Sequence, residues 1–105
     1  MSRKNLYYER SLSYARKLGE SLVAQGLHPS LHHAEPIPGE NRLLLDKKLG
    51  IYAFDELVVL KEAKSPAILL EAGVIVNPQD EIQVTQEDFK QRILQAICAM
   101  LDVKL

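Results

Sequence analysis

Ser65-Pro66-Ala67-Ile68-Leu69-Leu70-Glu71-Ala72-Gly73-Val74-Ile75-Val76-Asn77-Pro78 is an apolar run with one carboxylate set in its middle. Runs rich in Ile, Leu and Val and opened by a proline read as strands covered on both faces. Burying an unpaired carboxylate costs more than strand propensity returns. A Glu in such a run is therefore paired, protonated, or placed at a strand end facing a site. Gly73 permits a bend or a close backbone approach, and Asn77-Pro78 marks a turn. The expected element is a buried strand that delivers Glu71 to its carboxyl end, where open α/β sheets place their sites. The competing reading is a Glu at a strand end, salt-bridged to Lys or Arg and doing nothing else.

Working outward, the clearest element is a helix opening near Thr85. Phe89, Ile93, Ala96, Ile97, Met100 and Leu101 recur at helical spacing, Thr85 is a good N-cap, and Glu87 and Asp88 put negative charge in the first turn. A second amphipathic helix is expected from about Glu9 to Gln25. It carries Leu12, Ala15, Leu18, Gly19, Leu22 and Val23 on one face, with Gly26 as its C′ residue and Pro29 beyond. Ser30 to Ala34 suggests a short extended piece. Glu35 to Gly50, punctuated by Pro36, Pro38, Gly39 and Gly50, reads as irregular, and long loops in small chains are often functional. Leu57 to Leu60 suits a buried strand, although Asp55 to Lys61 also fits one or two helical turns.

The fold class is α/β. The pattern implies a partial three-layer α/β sandwich of two or three strands with two long helices, about residues 9–25 and 85–103. The 105 residues have room for a single domain, residues 1–105. Such a half-sheet leaves an open edge, so self-association is expected. A net charge of −1 provides no field that would draw the chain to nucleic acid. No apolar run approaches the roughly 20 residues of a membrane span. The N-terminus has basic residues but no apolar segment after them, so no signal peptide is expected, and the chain as written stays cytoplasmic. Cys98 cannot form an internal disulfide and reads as a small core residue.

Besides Glu71, three groups carry residue types suited to chemistry. His32-His33-Ala34-Glu35 offers metal-ligand types, but neighbours in an extended segment face opposite ways, and no zinc-helix spacing is present. Polar contact with backbone or substrate suits them better. Arg42 can clamp a ligand carboxylate, or pair with Glu35 or Glu71 and hold the loop. Tyr7 and Tyr8 read as helix-edge residues, and His28 as a surface residue.

Pro66 to Pro78, with Glu81 close behind, resembles the last strand and following loop of the zinc-dependent N-acetylmuramoyl-L-alanine amidases of the amidase-3 type. Val74 stands where that family usually has an aromatic residue, and Val76 where it has Ser. Ser11 to Gly26 is similar to the family's Ser-x-x-hydrophobic-Ala helix, and Leu57 to Lys61 to its penultimate strand. His32 to Glu35 and Ile37 to Arg42 resemble a proteobacterial branch. The resemblance covers nearly the whole chain but only the C-terminal half of the family's catalytic domain. It implies that Glu71 is the catalytic carboxylate and not a zinc ligand; His32, His33, Arg42 and Asn77 are expected as substrate contacts. It also implies a peptidoglycan substrate and a periplasmic or cell-envelope setting for the intact family. The family's zinc is held by His, Glu and His from motifs of the first half, and none of them is present here. No zinc is therefore expected to bind tightly to this chain alone, and it is expected to be inactive by itself. Two other readings stay open: a metal enzyme recruiting His32, His33 and Glu35, and a non-catalytic α/β module.

Overall fold

The structure, a computed structural model, describes residues 1–31, 42–71, 82 and 85–103. Two long helices and a two-stranded sheet make a small, partial α/β fold. The elements are α1 (Tyr8–Ala24), β1 (Leu43–Asp46), β2 (Ile51–Ala53), α2 (Val58–Glu62) and α3 (Glu87–Met100).

Both long helices fall where the apolar periodicity put them. α1 buries Ser11, Ala15, Leu18 and Gly19, and α3 buries Phe89 and Ala96, with the two helices packed on each other. Fully burying a Leu or Phe side chain contributes about 1.5–3 kcal/mol, so these stripes carry much of the fold. Both helices end alike. Gly26, at φ +85°, donates to Val23 O at 2.9 Å while Leu27 donates to Leu22 O at 3.1 Å, a Schellman closure. At the end of α3, Asp102 takes the left-handed position at φ +55°, with Asp102 N–H to Ala99 O and Val103 N–H to Cys98 O. Arg92 of α3 donates to Gln25 O at 3.2 Å, putting a cation on the carbonyl end of α1. Cys98 is half-buried rather than core. Thr85 is not the cap of α3. Gln86 takes that position, and the Thr85 hydroxyl donates back to Ile82 O at 2.7 Å.

The strands differ from expectation in place. β1, within what reads as the irregular segment, pairs antiparallel with β2 just beyond its end, with Leu43 opposite Ala53, Leu44 opposite Tyr52, and an irregularity between Leu44 and Asp46. The Asp46 carboxylate accepts Leu49 N–H at 3.1 Å within the turn, and Gly50 closes it at φ +64°. A Cβ on Gly50 would lie 2.8 Å from Pro29 Cβ, so glycine is required there for space as well as for φ. Leu57 to Leu60 is not a strand. Val58 to Glu62 is one short helix, with Leu60 buried while Val58 and Val59 are 65% and 75% exposed. Residues 66–71 also join no sheet among the described residues, and residues 72–76 of that expected strand lie outside them.

The physical reason for both departures lies in the first eleven residues. The buried polar residues Ser2, Asn5 and Ser11 all bond to the backbone between residues 55 and 67. Ser2 Oγ donates to Asp55 O at 2.8 Å. Asn5 Nδ2 donates to Leu60 O at 2.8 Å and Ala63 O at 3.0 Å, while its Oδ1 accepts Tyr7 N–H at 2.6 Å. Ser11 Oγ accepts Ala67 N–H at 2.9 Å. Buried backbone groups must be satisfied, and here side chains do what a neighbouring strand would do. Outside this seam, Arg3 binds Asp55 through its backbone N–H, Nε and Nη2 at 2.8, 2.9 and 2.5 Å, and Lys4 pairs with Glu56.

Candidate functional site

A cavity of about 250 Å³ opens between α1, α3, β2 and the segment ending at Glu71. Its floor is apolar, with Leu18, Leu22, Ile51, Ile68, Phe89 and Ile93 among its walls. Its polar lining includes His28, Ser30, Arg42, Tyr52 and Glu71. An apolar cavity with a few convergent polar groups is the usual form of a small-molecule site.

Each polar group reaches the cavity by a separate route. Arg42 precedes β1 and lays its guanidinium 4.0 Å from the centre of the Phe54 ring, a contact that fixes its plane. Tyr52, on β2, donates its hydroxyl to Ser30 O at 2.7 Å and so ties the chain after α1 to the sheet. Burial raises the Tyr52 hydroxyl above the usual tyrosine range, which keeps it a donor. Glu71 arrives at the end of residues 66–71. The start of that segment is held by Ser11 and by Ile68, which packs on the cluster of Met1, Ala15 and Ile51. Glu71 is exposed, as are Leu69 at 53% and Leu70 at 37%, so the carboxylate is not buried within a covered strand. Solvent at this rim removes the desolvation cost that its apolar neighbours suggest.

Of the sequence-predicted residues, Glu71 and Arg42 are brought to the same cavity. His32, His33, Glu35 and Asn77 lie outside the described residues. His28 is exposed, as expected of a surface residue, and lies on the cavity wall. Tyr7 and Tyr8 are half-buried at the start of α1. Sequence reading missed Ser11, Asn5 and Ser2. A signal for Ser11 was present: with Ala15, Leu18 and Leu22 it falls on one helical stripe, where a hydroxyl needs a partner.

The model of the amidase-3 family, N-acetylmuramoyl-L-alanine amidase, matches residues 2–103. The chain belongs to that family. No curated protein and no solved structure matches it. This amidase family acts on peptidoglycan, the polymer in which N-acetylmuramic acid carries its peptide through an amide. The family is generally zinc-dependent. Among the described residues, no three His, Cys, Asp or Glu side chains form a group able to hold a metal, so those residues do not fit a zinc ion. No helix among the described residues is long and apolar enough to cross a membrane.

Proposed function

We propose that this chain is the Glu71-bearing part of an N-acetylmuramoyl-L-alanine amidase catalytic domain, acting on peptidoglycan in the cell envelope, and that it does not hydrolyse peptidoglycan by itself. The observation that carries the reading is that Glu71 and Arg42 line one cavity in a chain matched to this family from residue 2 to residue 103. Glu71 is the general base and acid. A carboxylate Oε takes a proton from the attacking water and returns it to the amine of L-alanine as the amide bond to N-acetylmuramic acid breaks. Arg42, held on Phe54, clamps a carboxylate of the peptide, and His32, His33 and Asn77 contact the substrate. The exposed rim suits a polymer that must approach from solvent. The chain alone holds no zinc tightly.

The test is incubation of the purified chain with muropeptide and stoichiometric zinc, beside Glu71→Gln, with metal content measured in both. No cleavage and no retained zinc are expected. Cleavage that Glu71→Gln abolishes would sink the statement that the chain is inactive alone.

A second reading is favoured by the exposure of Val58, Val59, Leu69 and Leu70. In it the chain is a non-catalytic module that self-associates through apolar surface and open sheet edges. Sedimentation over a range of concentrations decides. A well-folded strict monomer argues against it.

A further inference from the structure

We infer that Ser11 is a positioning residue for Glu71, acting through the backbone of residues 67–71; this rests on the role proposed above for Glu71. Ser11 is 1% exposed on the apolar stripe of α1, where an unsatisfied hydroxyl is costly. Its Oγ accepts the N–H of Ala67 at 2.9 Å, far away in sequence. Residues 66–71 join no sheet among the described residues, so Ser11 gives Ala67 the acceptor that a strand partner would otherwise supply. Ser2 and Asn5 bond the backbone only as far as Ala63, which makes Ser11 the member of the seam nearest to Glu71.

Two fixed points then precede the carboxylate. Ile68 fixes the position of the segment by packing on Met1, Ala15 and Ile51. The hydrogen bond at Ala67 fixes its direction, because an N–H bond constrains the orientation of the peptide plane while an apolar contact does not. From Ile68, the Glu71 Cα can reach at most about 11 Å at full extension. Direction at Ala67 therefore narrows the part of that range open to Glu71.

The test uses the isotope-labelled full chain. In Ser11→Ala, exchange of the Ala67 amide rises about tenfold, as expected for one lost hydrogen bond. The amide and carboxyl signals of Glu71 shift, while protection in α1 and α3 is unchanged. Ala67→Pro removes the same N–H without altering α1 and gives the same Glu71 signature, so it carries the test where Ser11→Ala fails to fold. Unmoved Glu71 signals in the folded variants would overturn the inference. So would protection falling evenly along the chain, or a failure of both variants to fold, since either marks Ser11 as purely structural. Glu71 signals that move as expected, beside hydrolysis results that contradict the amidase reading, would separate failure of that reading from failure of the Ser11 link.

Discussion

Two leucine-bearing stretches of this chain meet opposite fates. On α1, Leu18 is buried at 5% exposure, while on the run before Glu71, Leu69 and Leu70 are 53% and 37% exposed. Local hydrophobicity does not separate them. What separates them is the partner each stretch finds. α1 has α3 and β2 to pack on, and the polar groups in its stripe are bonded. Residues 69–71 follow Ile68, which packs on the core cluster, and are exposed along the cavity wall. Burial in this molecule follows anchoring, and the exposed run is where the candidate carboxylate sits.

The sharpest way to break that contrast is to attack the anchored side. Phe89→Ala removes a buried ring of α3 and is expected to cost about 3–5 kcal/mol by denaturant titration. Next comes Gly50→Ala, where a left-handed φ and the approach of Pro29 act together; a loss of about 1–3 kcal/mol is expected. Asp102→Gly relieves the left-handed φ of the α3 closure and is expected to stabilise by about 1 kcal/mol. The exposed side responds least. Val59→Ser is expected to change stability by no more than about 0.5 kcal/mol, while reducing any concentration-dependent association seen in sedimentation.

The seam also has a pH signature. The Arg3 hydrogen bonds hold the Asp55 carboxyl below its usual range, against the opposing effect of burial. A carboxylate depressed in the folded state contributes stability that is complete above its unfolded value and lost as pH falls through the folded one. Asp55→Asn is therefore expected to flatten the acid side of the stability profile and leave the neutral region without that contribution. An unchanged acid limb would show that Asp55 is not among the groups that set it.

Much of the helical half was legible in the sequence. The stripes of α1 and α3 and the Gly26 closure follow from periodicity and from the need for a left-handed C′ residue. The hairpin was not legible, because strands of three and four residues are too short for alternation to show, and leucine is a weak strand signal. At Leu57 to Leu60 the helical alternative holds rather than the strand, its β-branched pattern being overridden by tertiary contacts. Asn5 takes the carbonyls of Leu60 and Ala63 and leaves the valines in water. At the site, Glu71 and Arg42, both singled out by residue type, line one cavity, but the exposure of Glu71 was not readable. A carboxylate among apolar neighbours reads as buried, because the tertiary packing that leaves Leu69 to Glu71 exposed carries no local sequence signal.

Residue-by-residue amide exchange on the unmodified chain tests this contrast most directly. Protection is expected in α1, α3 and at Ala67, and is expected to be lower at Leu69, Leu70 and Glu71 than at Ala67. Protection at Leu69 to Glu71 equal to that at Ala67 would contradict it, and would mean that the carboxylate lies within a covered strand after all.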